Sequence, residues 1–214
     1  MKILDAAFVT SLSVGGRLPA GTGAVIALAG RSNVGKSSLV NALARRRIAR
    51  AGGRPGTTRL VNLYAVRAAG VGRKVQRLSL ADLPGYGFAR GGLPARREFD
   101  ALTRGFFEQF SSATPADEPG SGPETARLAA TILVIDARHA GLASDMAARA
   151  WLTGLGAPTI VVTTKNDRLS RSAQAQASRA HAEALGCAVM AVSGKTGDGV
   201  RAVWSAIGEI LDAR

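Results

Sequence analysis

The sequence predicts an α/β fold: a doubly wound, mostly parallel sheet with one antiparallel hairpin strand. Three observations predict it. Apolar runs of strand length alternate with amphipathic helical segments through the second half of the chain. A glycine-rich turn, GRSNVGKSS at 30–38, joins the apolar run Ala24–Ala29 to a helical segment. The polar motifs fall where strands end, which is the edge at which such sheets bind ligands.

Taken in order, residues 1–23 hold a short apolar piece, Ile3–Val9, and a Gly/Pro-rich approach to the first long strand at Ala24–Ala29. After the glycine-rich turn, Leu39, Val40 and Leu43 recur at helical spacing. IARAGGRPGTTR (48–59) is a basic loop rich in turn residues. LVNLYAV (60–66) and VQRLSLAD (75–82), joined by a turn at Gly70–Arg73, read as a hairpin that adds an antiparallel edge. DLPGYGFARGG leads into a helix at about 95–110, with Phe99, Leu102, Phe106 and Phe110 on one face. Residues 111–124, SSATPADEPGSGPE, show no periodicity and are predicted to form a disordered surface insertion. Beyond it, strands at 130–136, 159–165 and 187–193 alternate with helices at 144–155, at 170–185 and at the C-terminus. The last helix carries Val200, Val203, Trp204, Ile207, Ile210 and Leu211 as a stripe that reads as core packing. Residues 1–214 are expected to form a single domain.

Gly30, Gly35, Lys36 and Ser37 fit G-x-x-x-x-G-K-[ST], and the strand, loop, helix context makes 30–38 a phosphate site. The chemistry needs that spacing. Backbone N–H groups of Arg31, Ser32, Asn33, Val34 and Ser38 surround a polyanion at a positive helix end, and the glycines permit close approach. Lys36 then reaches the β and γ phosphates, and the Ser37 hydroxyl is a Mg2+ ligand. In Asp82-Leu83-Pro84-Gly85, Asp82 is placed to hold the same ion through water, and the Gly85 N–H to meet a γ-phosphate. In Thr164-Lys165-Asn166-Asp167, the Asp167 carboxylate can accept both adjacent guanine donors, which would select GTP over ATP, while the Lys165 stem lies along the base. The other reading of Asp167 is an ordinary N-cap of the next helix. Val192-Ser193-Gly194 suits the loop under the base.

The net charge of +13, from 28 basic and 15 acidic residues, implies an anionic partner larger than a nucleotide, most plausibly RNA. A biased genome would explain arginine in place of lysine, but not the excess of positive charge. The five lysines are Lys2, Lys36, Lys74, Lys165 and Lys195, and three of them fall in nucleotide motifs. No apolar run approaches the ~20 residues of a membrane helix. The N-terminus, MKILDAAFVTS, does not read as a signal peptide. The one cysteine, Cys187, read as lying in a buried strand, fits a reducing cytoplasm. His139 reads as a structural contact, and His181 as lying on a solvated helix face.

The strings GRSNVGKSSLVNAL, PGTTRLVN, DLPGYGFA, VIDARH and TKND, with Trp151-Leu152, resemble the EngB (YihA/YsxC) family of bacterial P-loop GTPases, in the translation-factor-related class. The resemblance runs from about residue 8 to the last helix. It implies a GTPase G domain with nucleotide contacts from Gly56, Thr57, Thr58, Arg59 and Leu60, and Thr58 as a second protein ligand of Mg2+ beside Ser37. It also implies a role in large ribosomal subunit assembly and in normal septation at cell division. Thr57, Arg59 and Asn166 depart from the residues usual in the family, and Ser193-Gly194-Lys195 is a looser match.

Lys36, Thr58, Gly85 and Asn33 are the catalytic candidates. Tyr86 stands where many GTPases carry a water-orienting glutamine, so hydrolysis of GTP to GDP is expected to be slow without help. Asn33 matches the asparagine that coordinates K+ in potassium-stimulated relatives; a K+ ligand and a local backbone bond are both open readings. The function expected is a GTP-operated switch, monomeric and cytoplasmic, in which GTP orders loops 52–60 and 85–93 and the arginines in or near them, Arg54, Arg59, Arg90, Arg96 and Arg97, contact ribosomal RNA or a large-subunit precursor. The alternatives are a protein-binding division adaptor with structural nucleotide, and a small-molecule kinase, which would prefer ATP.

Overall fold

In a computed structural model, residues 1–50, 60–70, 75–87, 92–111 and 126–213 are described. They build one seven-stranded sheet in the order β1-β3-β4-β2-β5-β6-β7. Its strands are β1 (Lys2–Leu12), β2 (Ala24–Gly30), β3 (Val61–Ala69), β4 (Val75–Asp82), β5 (Arg127–Asp136), β6 (Thr159–Thr164) and β7 (Met190–Ala191). Helices α1 (Lys36–Ala44), α2 (Gly92–Ser111), α3 (Ala143–Thr153), α4 (Arg171–Leu185) and α5 (Val200–Asp212) connect or follow them. β3 runs against both neighbours, β1 and β4, and all other pairings are parallel.

Alternation along the buried strands assigns the two faces. Ile26 and Leu28 of β2 point to α1 and α5, where Leu39, Val40, Leu43, Val203, Trp204 and Ile207 meet Ile132 and Val134. Val25 and Ala27 point to the opposite core, with Leu102, Phe106 and Phe107 of α2, Leu152 of α3 and Leu185 of α4. Helices on both faces are the doubly wound arrangement. The predicted stripe on α5 is core: Trp204 is buried, and its Nε1–H donates to Leu43 O of α1 at 3.1 Å.

Several expectations are corrected. The N-terminal apolar piece is a full strand, and β1, not the hairpin, forms the sheet edge. Its burial pattern explains the miss: only Ala6 and Leu12 are buried, so little hydrophobic periodicity marks it. β7 is two residues long, not seven, and Cys187 lies in the bend before it, half-buried. His181 is buried, not solvated. Helix α2 begins at Gly92 and includes Ser111, so the start of the predicted insertion belongs to the helix. The rest of 111–124 lies outside the described residues, as does most of the predicted turn at 70–73.

Candidate nucleotide-binding site

The carboxyl ends of β2, β4, β5, β6 and β7 gather the motifs at 30–38, 82–85, 134–139, 164–167 and 192–195 on one edge of the sheet. At the start of α1, Gly35 is the N-cap with φ 116°, a conformation costly for any residue with a Cβ. Val34 is buried, so its share of the loop is main chain. Lys36 Nζ donates to Gly30 O at 3.2 Å and to Arg31 O at 3.4 Å, which folds the lysine over its own loop. Burial lowers its pKa, opposed by the charge of Asp82. Ser38 packs against Gly194, where an added Cβ would come within 3.0 Å of Ser38 Cβ.

Ser37 Oγ donates to Asp82 Oδ2 at 2.7 Å. Asp82 is buried; burial raises its pKa, while Lys36 and Ser37 pull it down. Its Oδ1 is buried and has no hydrogen-bond partner among the described residues. A buried carboxylate oxygen with nothing to accept is costly. Beside a hydroxyl and a lysine, this donor set of hard oxygens fits a hydrated Mg2+, so these residues suit the ion the motif implies. Leu83 is buried core, and its N–H donates to Leu28 O at 3.1 Å; Pro84 is buried too, and this part of the motif contributes only backbone.

At the far end, Thr164 Oγ1 donates to Val34 O at 2.6 Å and Ile135 O at 3.0 Å, which ties β6 to the phosphate loop. Lys165 Nζ reaches Asn33 O at 2.7 Å and Asp136 Oδ2 at 2.8 Å. Arg138 adds bonds from Nε at 2.9 Å and Nη2 at 2.7 Å to the same carboxylate. Burial would raise the Asp136 pKa, but the bonds from Arg138 and Lys165 outweigh it and hold the carboxyl well below the usual range. Asp136 is the residue that sequence reasoning missed: the last position of β5 in VIDARH, it fixes the lysine of the base motif. The signal was present as an acid at a strand end on the ligand edge.

Asp167 is exposed, and its Oδ1 accepts from Ser193 Oγ at 2.7 Å. That serine is buried and also accepts from the N–H groups of Lys195 and Thr196. The N-cap reading of Asp167 is set aside, because Ser170 caps α4 by accepting from Ala173 N–H. Asn166 is held by the two strands around it. Its side chain is buried and donates to Thr163 O at 2.8 Å and Val192 O at 3.1 Å, which joins the two base-motif strands. Val192 is buried behind it. Asn33 has φ 60°, a left-handed conformation that asparagine tolerates better than most residues, which accounts for its place in the loop without any cation. His139 is exposed, and its main-chain N–H donates to Asp136 O at 3.1 Å. Leu60 is exposed at the start of β3. Gly56, Thr57, Thr58 and Arg59 lie outside the described residues, with Arg54 and Arg90, whereas Arg96 and Arg97 are exposed near the start of α2.

The family model of the 50S ribosome-binding GTPases matches residues 25–165. A probable GTP-binding protein EngB of Solibacter usitatus is 35% identical over 100% of both chains. The chain belongs to the EngB family of P-loop GTPases. A second EngB protein, from Pelotomaculum thermopropionicum, is 35% identical over 86% of this chain and 82% of its own length. The fold agrees with a crystal structure of a probable GTP-binding protein engB, at TM-score 0.62 and 21% identity, covering 89% of this chain and 99% of that one. Era bound to MgGDPNP and nucleotides of 16S ribosomal RNA has the same fold, at TM-score 0.63 and 17% identity, covering 88% of this chain and 57% of that one. As an EngB protein the chain binds and hydrolyses GTP, which sets the kinase reading aside. Among the described residues, no helix is long and apolar enough to cross a membrane.

Proposed function

We propose that this EngB protein is a Mg2+-dependent GTP switch that acts in assembly of the large ribosomal subunit, with ribosomal RNA or a precursor particle as its partner. Supporting the ribosomal part is one observation above others: a match to the 50S ribosome-binding GTPases over residues 25–165, in a chain of net charge +13. A surplus of that size favours a polyanion through counterion release. In this reading the protein is a monomeric cytoplasmic G domain that is also needed for normal septation.

The site residues take the following roles. The N–H groups of residues 30–38 hold the phosphates, and Lys36 leaves Gly30 O and Arg31 O to meet the β and γ groups. Ser37 and Thr58, with Asp82 through water, hold Mg2+, whose bound charge offsets that of the phosphates. Gly85 N–H detects the γ-phosphate, and residues 56–60 add contacts to the nucleotide. Asp167 reads guanine, held in place by Ser193, while Lys165 covers the base. Tyr86 cannot orient water as a glutamine does, so intrinsic hydrolysis is slow. If Asn33 recruits K+, turnover will rise when Na+ is replaced by K+; equal turnover in the two salts would remove that role.

The decisive experiment is sedimentation of the protein with 50S precursor particles, in GDP and in a non-hydrolysable GTP analogue. Tighter association with the analogue, weakening steeply with salt, is expected. Equal association in both nucleotides would refute the switch. Binding insensitive to salt would favour a protein partner and the division-adaptor reading.

A further inference from the structure

Past Asp82 the chain stays zipped to the phosphate loop. Tyr86 N–H donates to Gly30 O at 3.3 Å, and Ser32 N–H donates to Tyr86 O at 3.0 Å, a parallel bridge between Arg31 and Tyr86. Gly85 is pressed onto the loop so closely that a Cβ there would lie 2.5 Å from Ser32 Cα and 2.6 Å from Ser32 N. Together with the folded-over Lys36, this arrangement uses protein carbonyls to satisfy donors of the phosphate loop.

A side chain anchors the bridge. Tyr86 Oη donates to Asp145 Oδ1 at 2.9 Å, in the first turn of α3. Asp145 is 4% exposed, and Arg31, the buried His181 of α4 and Asp136 lie within electrostatic reach of its carboxylate. A buried carboxylate is costly unless paired and hydrogen-bonded. No nucleotide motif contains Asp145, and nothing in hydrolysis calls on it, yet it is the polar contact of the tyrosine that follows Gly85.

We propose that Asp145 is a positioning residue which, through the Tyr86 hydroxyl, latches residues 85–86 onto Ser32 and holds a form that a γ-phosphate must open. GDP lacks the group that reaches this edge of the loop. GTP needs the Gly85 main chain to turn toward its γ-phosphate, which pulls Tyr86 O away from the Ser32 N–H. The latch therefore weakens GTP relative to GDP, and a ligand shifts a two-state element only by such a difference in affinity. The inference rests on GTP binding by the family and is independent of the ribosomal partner.

The test is titration of the full chain with GDP and with a non-hydrolysable GTP analogue, for the parent, Tyr86→Phe, Asp145→Ala and the double variant. Loss of a hydrogen bond to a charged group should raise analogue affinity relative to GDP by about tenfold in either single variant. The double variant should gain no more than either single, since both remove one contact. Tyr86→Phe keeps the ring and its packing, so it carries the test even where Asp145→Ala perturbs folding. An unchanged analogue-to-GDP ratio in Tyr86→Phe overturns the latch, as do additive effects in the double variant.

Discussion

Asp167 owes its placement to Ser193, a residue 26 positions later. The serine hydroxyl donates to the carboxylate and accepts from two main-chain N–H groups, so it fixes both the proposed reader of the base and the loop at 193–196. Replacing Ser193 with Ala should therefore lower GDP affinity by about tenfold, the worth of a charged hydrogen bond. Titration calorimetry would reveal a wild-type affinity if the serine were mere packing. Asp136 offers a pH test. Its folded pKa lies below the ordinary 3.8, so its contribution to stability is complete well above that value and is lost as pH falls from there toward the folded pKa. Urea midpoints of the parent and Asp136→Asn should differ near neutral pH and converge in acid. A difference that persisted unchanged from pH 6 to pH 2 would mean that the cluster with Arg138 and Lys165 contributes nothing through charge.

At the scale of elements, α1 and α5 lock together on one face of the sheet through Trp204. The indole fills the core beside Leu39 and Leu43, and its N–H satisfies a carbonyl near the end of α1. Trp204→Ala should cost about 3–5 kcal/mol in chemical denaturation, from lost area and the cavity left behind. Trp204→Phe should cost about 1–3 kcal/mol, since the Leu43 carbonyl loses its indole donor. Equal losses for the two would show that the hydrogen bond, not packing, decides the contact. The cap of α4 is a second contact at this scale. Ser170 accepts from Ala173 N–H, and Ser170→Ala should lower stability by about 1 kcal/mol without altering guanine selectivity. A loss of selectivity would mean that α4 carries the base site through its cap. Apolar periodicity made α1, α5 and the buried strands readable from sequence alone. It failed for β1, an edge strand with few buried side chains, and for β7, where two paired residues suffice because a loop carries the rest.

At the scale of the molecule, the sheet edge brings together groups that are far apart in the chain. Lys165 reaches across 132 positions to Asn33, and Ser37 across 45 to Asp82. The phosphate loop was decided by sequence alone, because its chemistry is local: backbone N–H groups, a glycine with φ 116° and a helix start all lie within 30–38. The same holds for the alternation that sets the fold, since side-chain period reports which face is buried. Tertiary structure alone decided which groups meet. It tied the Asn166 amide to Thr163 and Val192, gave Lys165 the Asp136 carboxylate, left one oxygen of Asp82 without a partner among the described residues, and set Tyr86 on Asp145. Periodicity states that a face is covered but not by what, and a buried charge acquires its role only from the groups that the fold places within hydrogen-bond reach.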